Sequence, residues 1–474
     1  MLPLMSRCSR LPRRNHNHPQ ISQITQIPKR FRWRSGAIAR GYCTECREEK
    51  HAFVRLIPDS PKFGNCARKE SAVRLSLTGR VVLLLSIGAN VLIFTGCQSE
   101  NANGTEAQAQ QSFFTAAAGS PISVSCGPGT VVIGDMNNDK KPDLVVACGK
   151  NKSILVLPGK GDGQFGVAVS TTTVPDSPGE VSLGDMNGDA NLDVAITSHD
   201  SYGVVLLLGD GKGGLALAPN SPIVMKDGQH PHTHGLSLAD MNQDKKLDLV
   251  TINNADNDVS IAFADGRGGF SIAPNSPFAV GPSPYPSAIG DVNGDGWLDI
   301  VATASATGPM RAQQLPNARA LTLLLADRKG AFRSSQLPLR TGEPWFAVIA
   351  DVNGDLKADI VATHHEMNQL TVLIGDGTGG FVEATKSPFD CGSNLFHAVV
   401  ADVNRDGKLD VTAAVGRGVR VMVGDGKGGF SCTPPIQAGN GAWRLDLGDV
   451  NGDGKVDVAT GSAEGGTVNV LLGR

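Results

Sequence analysis

The chain has 474 residues, of which 58 are glycine and only 5% are aromatic, so the composition favours a β-rich body with many turns. Residues 1–97 carry 17 Lys or Arg and 5 Asp or Glu, a net charge of +12, whereas residues 98–474 carry 26 and 41, a net charge of −15. This acidic body argues against nucleic-acid binding, because contacts to phosphate need a basic surface.

The first 72 residues lack hydrophobic periodicity, and we interpret residues 1–72 as an unstructured extension or a mis-assigned start. Cys43 and Cys46 form a Cys-x-x-Cys pair, with His51 and Cys66 further on. A zinc site of this kind needs a second, regularly spaced pair, which is missing here. The segment is therefore not assigned a metal site.

Residues 73–97 have the pattern of a signal peptide. A basic flank with Arg74 and Arg80 precedes fourteen mainly apolar residues, 81–94, which are too few to span a bilayer comfortably. The Thr-Gly-Cys that follows resembles a bacterial lipoprotein lipobox, which implies acylation of Cys97. The alternative is an ordinary secretory signal with an incidental cysteine. Residues 98–111, rich in Gln, Asn, Ala and Ser, predict a tether. The expected location is the bacterial cell envelope, lipid-anchored and extracytoplasmic, either periplasmic or at the cell surface.

The remaining residues, 112–474, contain seven copies of Asp-x-Asn-x-Asp-x-x-x-Asp. Successive copies begin 47 to 60 residues apart, which suits a four-stranded propeller blade. An apolar run precedes and follows each loop, as strands A and B of one blade would. A third strand, a glycine turn and a weaker fourth strand come next, and several fourth strands reach a Ser-Pro step.

The two ends of this region are complementary. The last repeat stops within its third strand, whereas residues 112–124 resemble the fourth strand of another repeat, residues 268–280. We therefore expect the N-terminal segment to pair with residues 468–472 and close the ring, leaving no free sheet edge.

These repeats resemble the FG-GAP and VCBS repeat family, whose best-known member is the integrin α-chain head. The resemblance covers residues 112–474. It implies an all-β, seven-bladed propeller of four-stranded antiparallel blades, with calcium in the A-to-B loops.

The loop residues themselves favour calcium. Ca²⁺ prefers six to eight oxygen ligands from carboxylates, amides, backbone carbonyls and water, and crowded carboxylates repel one another without a cation. An EF-hand is excluded, because position 12 never carries the required Glu and strands flank the loops. Metal-free Asp/Asn-rich hairpins remain an alternative, particularly where position 6 is Lys140, Ala190, Lys245 or Leu356 instead of glycine.

Five ligands are predicted in each loop, at positions 1, 3, 5, 7 and 9, with position 7 contributing its carbonyl. In chain order they are Asp135, Asn137, Asp139, Lys141, Asp143, Asp185, Asn187, Asp189, Asn191, Asp193, Asp240, Asn242, Asp244, Lys246, Asp248, Asp291, Asn293, Asp295, Trp297, Asp299, Asp351, Asn353, Asp355, Lys357, Asp359, Asp402, Asn404, Asp406, Lys408, Asp410, Asp449, Asn451, Asp453, Lys455 and Asp457.

Histidines and aromatic residues predict a ligand face at the opposite end of the blades. They fall in B-to-C connections or just before A strands, as do two arginines in a long connection, residues 303–320. His-Pro-His-Thr-His, residues 230–234, also has the spacing of a transition-metal chelate. The candidates are His199, His230, His232, His234, His364, His365, His397, Tyr285, Trp345, Trp443, Arg311 and Arg319.

Four cysteines of the body suit disulfides in an oxidising compartment. Cys126 and Cys148 flank the first A–B hairpin and form the leading predicted pair. Cys391 and Cys432 are a second candidate pair, on either side of the sixth blade.

The motifs of serine hydrolases, zinc proteases and P-loop enzymes are missing from the sequence. The favoured function is a non-enzymatic, monomeric binding or adhesion module for a protein or glycan. The alternative is a propeller enzyme, a lyase or oxidoreductase acting on carbohydrate through the histidine-rich face.

Overall fold

The computed structural model describes residues 112–474 except 306–318, 329, 341 and 393, and also the backbone of three strands nearer the N-terminus. These three pair antiparallel in sequence order and are β1 (Val73–Leu77), β2 (Arg80–Ile87) and β3 (Asn90–Thr95). The predicted extension, the tether and Cys97 lie outside the described residues. No helix in the described part of the chain is long and apolar enough to cross a membrane.

Seven small antiparallel sheets make up the body, which confirms the predicted seven-bladed propeller. The N-terminal segment contributes β4 (Phe114–Ala116) and β5 (Ile122–Ser123). The first three blades contain β6 (Pro128–Gly134), β7 (Asp143–Cys148), β8 (Ser153–Leu157), β9 (Ser170–Thr173); β10 (Val181–Gly184), β11 (Asp193–Ile196), β12 (Gly203–Gly209), β13 (Leu215–Leu217), β14 (Ile223–Val224); and β15 (Thr233–Ala239), β16 (Asp248–Asn253), β17 (Asp258–Ala264), β18 (Phe270–Ile272), β19 (Phe278–Ala279).

The other blades repeat this plan, in which strands A to D pair in order and a short extra strand often pairs with C. They contain β20 (Ala288–Gly290), β21 (Asp299–Ala302), β22 (Ala320–Ala326), β23 (Phe332–Pro338); β24 (Phe346–Ala350), β25 (Asp359–His364), β26 (Gln369–Gly375), β27 (Phe381–Glu383), β28 (Phe389–Asp390); β29 (Ala398–Ala401), β30 (Asp410–Ala414), β31 (Gly416–Gly424), β32 (Phe430–Cys432), β33 (Ile436–Ala442); and β34 (Leu445–Gly448), β35 (Asp457–Ser462), β36 (Thr467–Gly473).

The seventh blade is completed by the N-terminal segment, as the sequence predicts. Strand β36 pairs with β4, placing Leu472 opposite Thr115, and with β5, placing Val468 opposite Ile122. Closure pairs both ends of the region and covers the edge of β36 that an open array would leave exposed.

The repeated Ser-Pro steps anchor the outer part of a blade to strand C. In the closing segment, the backbone N–H of Val470 donates a hydrogen bond of 3.0 Å to Ser120 Oγ. Three other blades have the same contact, with N–H to serine Oγ distances of 2.9 to 3.1 Å, and all four Ser-Pro bonds are cis. The serines are Ser120, Ser221, Ser276 and Ser387.

The hydrophobic core lies in the seams between blades. Strand β7 is buried at every position, because both of its faces are covered. On one face, Val145 packs in a cluster with Val194 and Leu207 of the second blade. Sheets buried on both faces explain why the B strands read as continuous apolar runs in the sequence.

Two disulfides join blade elements. Cys126 is bonded to Cys148, with the Cα atoms 5.1 Å apart, and Cys391 to Cys432, with the Cα atoms 5.3 Å apart. Both separations are ordinary for disulfides.

Candidate functional site

The two ends of the blades carry different chemistry. In an antiparallel sheet, successive connections alternate between the two ends of the strands. The seven A-to-B carboxylate loops therefore share one face with the C-to-D glycine turns. The B-to-C connections and the segments before the A strands form the opposite face, which we call the mouth face.

Each carboxylate loop is wrapped by hydrogen bonds from its own backbone. In the first blade, Asp135 Oδ2 accepts from the N–H of Lys140 at 2.8 Å, and Asn137 Oδ1 accepts from the N–H of Asp139 at 2.9 Å. Asp139 Oδ1 accepts from the N–H of Lys141 at 2.9 Å. The equivalent three bonds occur in the other six loops. The predicted ligand positions thus share one geometry.

Position 6 of the loops has a positive φ in all seven blades, the left-handed region that favours glycine. Glycine occupies it in three loops. In the other four the residues are Lys140, Ala190, Lys245 and Leu356, with φ of 65° to 66°. The wrap is therefore formed with or without glycine, at a local conformational cost where a side chain is present.

The aspartate at position 9 has a role that the sequence reasoning missed. Asp143 is fully buried, and its Oδ2 accepts from the N–H of Met136 at 2.9 Å while its Oδ1 accepts from the N–H of Gly159 at 2.8 Å. This carboxylate therefore joins the loop to the end of strand C. The same pair of bonds occurs in every blade.

Burial raises the pKa of all seven position-9 carboxyls, opposed by the backbone hydrogen bonds, and the loop carboxylates at positions 5 and 1 raise it further. For Asp248 the pKa reaches about 6. A cation among these carboxylates would relieve their mutual repulsion.

The loops also connect neighbouring blades. The carbonyl of Met136, at position 2, accepts a hydrogen bond of 3.0 Å from the N–H of Gly213 in the second blade. Met186 and Gly268 make the same contact between the second and third blades at 3.1 Å. The Met136 and Met186 side chains are buried in the seams. An ion that holds a loop would therefore stabilise a blade boundary as well.

The donor atoms of each loop are of the type that calcium prefers, because they are the oxygens of three carboxylates, an amide and a backbone carbonyl. In the described part of the chain, no three of these carboxylates place their donor atoms within 4.8 Å of one another. Oxygens on opposite sides of a Ca²⁺ ion are separated by about 4.6 to 5.2 Å, since each Ca–O distance is about 2.3 to 2.6 Å. The loop spacing therefore suits an ion with the long metal–oxygen distances of calcium.

Aromatic and histidine side chains form a row on the mouth face, because they occupy the same position in successive repeats. The residue six places before the first loop Asp is aromatic or histidine in five blades and glycine in the other two. The five rings are His234, Tyr285, Trp345, Phe396 and Trp443. Each ring contacts the next, with centroid separations of 4.3, 3.9, 6.4 and 4.5 Å in chain order. Trp443, at one end, is 47% exposed and offers an accessible ring.

A cavity of about 240 Å³ lies along the A strands of all seven blades. Its lining includes Glu180 of the second blade and Arg444 of the seventh, which form an ion pair. The pair lies beside the two blades in which glycine occupies the position of the aromatic rings. Burial lowers the pKa of Arg444 to about 9. Asp446, whose pKa is raised by burial, accepts from the N–H of Ile133 at 2.9 Å. Predicted His397 lines the same cavity.

Three of the predicted histidines come together at one end of the ring row. His199 lies between β11 and β12 of the second blade, whereas His232 and His234 lie at the start of the third. The Nε2 atoms of His232 and His234 are 2.8 Å apart, and the donor atoms of all three imidazoles lie within 4.8 Å of one another. Burial lowers the pKa of His199 and that of His234, the latter to about 3, with further lowering by neighbouring histidines.

The other face candidates have different environments. His365, Trp345 and Arg319 line one cavity of about 200 Å³, while His230 is exposed and outside the histidine group. The predicted ligand residue His364 lies in a different environment from His365. Its side chain is fully buried and Nε2 lies 2.8 Å from Thr371 Oγ1, so it belongs to the blade interior. Arg311 lies outside the described residues.

Comparison with known families locates the repeats independently. The FG-GAP-like repeat matches residues 135–196, 185–251, 240–302 and 351–413. Each match starts at the first Asp of one carboxylate loop and ends just beyond the next loop. The chain is an FG-GAP β-propeller. No curated protein matches the FG-GAP propeller's sequence.

Several solved structures are similar to this chain at low sequence identity. BBS1N, solved in complex with ARL6DN, is 13% identical with a TM-score of 0.50, and the match covers 74% of this chain and 94% of that one. An Agrocybe aegerita lectin specific for non-reducing terminal N-acetylglucosamine is 19% identical with a TM-score of 0.47, covering 76% and 88%. Staphylococcus aureus virginiamycin B lyase is 12% identical with a TM-score of 0.46, covering 74% and 97%. At 13% identity the similarity to BBS1N concerns the fold alone.

Proposed function

We propose that this FG-GAP propeller is a calcium-stabilised, extracytoplasmic binding module that contacts a glycan at its mouth face. The accessible part of the row of rings carries the proposal. Three of the five side chains are buried, whereas Trp443 is exposed and Trp345 is partly exposed. Accessible aromatic rings supply contact area at little cost in conformational entropy, and polar groups beside them fix the orientation of a ligand. Trp443 provides the exposed ring, and the cavity lined by Trp345, His365 and Arg319 provides polar groups beside the row.

Calcium has a structural role in this proposal. Each ion would be held by loop positions 1, 3, 5, 7 and 9, and would neutralise carboxylates that otherwise repel one another. The hydrogen bonds from the position-2 carbonyls to the next blade would extend this stabilisation from one loop to the neighbouring blades. Calcium would thus stiffen the scaffold that carries the mouth face.

Export and anchoring are supported by two features of the chain. The apolar segment 81–94 ends in Thr-Gly-Cys, and the body contains two disulfides, which persist in oxidising compartments. Acylation at Cys97 would place the propeller outside the cytoplasmic membrane on a tether. The Cys97→Ser variant should lose lipid labelling and leave the membrane fraction while keeping the same melting temperature.

Glycan binding is tested on an array with the full chain in excess calcium, followed by titration of the best glycan. Trp443→Ala should weaken binding by about tenfold or more, because a tryptophan that acts as a binding hot spot contributes about 2 kcal/mol or more, and about 1.4 kcal/mol corresponds to tenfold. Trp297→Ala is the matched control, since this tryptophan lies in a carboxylate loop on the other face. Unchanged affinity in Trp443→Ala, or an equal loss in Trp297→Ala, would contradict the proposed site.

The calcium proposal has a separate test. When the free calcium concentration is one hundred times the Kd of a site, binding at that site adds about 2.7 kcal/mol to the free energy of unfolding. Exhaustive chelation should therefore lower the melting temperature, and added calcium should restore it. An unchanged melting curve in protein shown to be free of metal would refute this role.

The histidine group favours a second candidate, an enzyme acting on carbohydrate through the mouth face. Turnover of an array-positive glycan, lost in His199→Ala, would support the enzyme. Binding without turnover supports the binding module.

A further inference from the structure

We propose that His199, His232 and His234 form a binding site for a divalent transition metal of the zinc class, separate from the seven carboxylate loops. Three imidazoles are the protein ligand set of one kind of catalytic zinc site, in which water or substrate fills the fourth position. Imidazole also suits copper and nickel, whereas Ca²⁺ prefers oxygen. The site therefore differs from the loops in the metal that it selects.

Local backbone structure directs two of these ligands to one place. Strand β15 pairs Thr233 with Asn253 and Gly235 with Ile252, which leaves His234 as the extra residue of a β-bulge. Bulges redirect side chains and are common beside functional sites. Just before the strand, the carbonyl of His232 accepts a hydrogen bond of 2.7 Å from the N–H of Asn254, which fixes its backbone to the same hairpin.

The third ligand comes from the neighbouring blade. The ring centroid of His199 lies 5.2 Å from that of His232 and 4.4 Å from that of His234. The three ring planes cross at 65° to 80° instead of stacking. Since His199 belongs to a B-to-C loop, a bound metal would bridge the second and third blades.

The contact between His232 and His234 requires only a small adjustment, and the donor atom of His199 lies within 4.8 Å of both. Ligand nitrogens around a tetrahedral Zn²⁺ are about 3.3 Å apart, because each Zn–N bond is about 2.0 to 2.1 Å. The Nε2 atoms of His232 and His234 must therefore separate by about half an ångström from their 2.8 Å contact. His234 is 9% exposed and packs on Tyr285, at a centroid distance of 4.3 Å, so one side of the site is rigid. His199 is exposed, which leaves the other side open for an exogenous ligand.

The test uses the full chain without a polyhistidine tag, in excess Ca²⁺ so that oxygen-rich sites are occupied. Titration of Zn²⁺ against a chromophoric competitor should show one tight equivalent, and Co²⁺ should give the visible absorption bands of a tetrahedral site. His199→Ala should weaken Zn²⁺ binding by about 100-fold or more, because one of three protein ligands is lost. His232→Ala provides a second ligand variant.

His230→Ala and His365→Ala are matched controls, because both residues lie on the mouth face outside the group. Neither should change the affinity for Zn²⁺. Melting temperatures measured in chelator establish that each variant is folded. The proposal is overturned if the wild type binds no stoichiometric Zn²⁺, if His199→Ala binds as tightly as the wild type, or if His230→Ala weakens binding as much, which would place the metal on His-Pro-His-Thr-His alone.

Discussion

The two kinds of aspartate in a carboxylate loop should differ when each is changed to asparagine: one variant should lose stability with or without calcium, the other only in calcium. In the fifth blade, Asp359 is fully buried at position 9, and its carboxylate accepts from the N–H of Val352 at 3.1 Å and from the N–H of Gly375 at 2.9 Å. Asparagine supplies only one oxygen. Its NH₂ group then faces a backbone N–H, so one buried donor loses its acceptor.

The cost of Asp359→Asn follows from those two bonds. A hydrogen bond to a charged group contributes about 1.5 to 3 kcal/mol, and a buried unsatisfied donor costs about 1 to 3 kcal/mol, so we expect a loss of about 3 kcal/mol. The loss should be present in chelator as well as in calcium, because the two bonds join backbone elements without a metal.

Asp355→Asn, at position 5 of the same loop, is the matched variant. Asp355 is exposed, and its Oδ1 accepts from the N–H of Lys357 at 3.0 Å, a bond that asparagine can keep. In chelator we therefore expect a change within about 0.5 kcal/mol. In calcium the variant should lose stability relative to the wild type, because a charged ligand is missing.

Urea-induced unfolding in chelator and in calcium measures both free energies. The reasoning fails if Asp359→Asn matches the wild type in chelator, or if Asp355→Asn is equally destabilised there.

Three further changes test other parts of the propeller. Burial lowers the pKa of His364 to about 4, so the imidazole stays neutral in the folded state above that pH. In the unfolded chain it takes up a proton below about pH 6.5. The free energy of unfolding should therefore decrease as the pH is lowered from about 6.5 towards 4. Between pH 7.5 and pH 5, unfolding experiments should show His364→Gln losing about 2 kcal/mol less than the wild type. Leu356 is 94% exposed and has a φ of 65°. In urea-induced unfolding, Leu356→Gly should be more stable than Leu356→Ala by up to about 1 kcal/mol. Replacing Cys126 and Cys148 together by serine should cost about 3 kcal/mol, because their 22-residue separation closes a loop in the unfolded chain.

Each of these has a contrary outcome. Parallel pH profiles for His364→Gln and the wild type would show that the buried imidazole does not set the slope. Equal stability of Leu356→Gly and Leu356→Ala would mean that the left-handed conformation is not strained at this site. Free thiols at Cys126 and Cys148 in non-reduced protein, detected by mass spectrometry, would remove the basis of the disulfide estimate.

The chain's repeats determined the architecture without any tertiary information. Seven carboxylate loops at blade-length intervals, each between apolar runs, specify the number of blades and the face of the loops, because hairpins are local structures. Ring closure was also readable, since the fourth strand missing after β36 appears near the start of the body, as β4. These features depend on neighbours in sequence or on a comparison between repeats.

Only the tertiary structure decided which mouth-face residues meet. Sequence spacing suggested that a metal is bound within residues 230–234. The arrangement of the blades instead brings His199 of the preceding blade to His232 and His234, and leaves His230 outside the group. His364 and His365 are adjacent in sequence, yet one is buried and the other lines a cavity, because His364 is the last residue of β25 and His365 begins the turn that follows. The lateral contact between blades, and the direction of each side chain at a strand end, are set by packing around the ring, which sequence spacing does not encode.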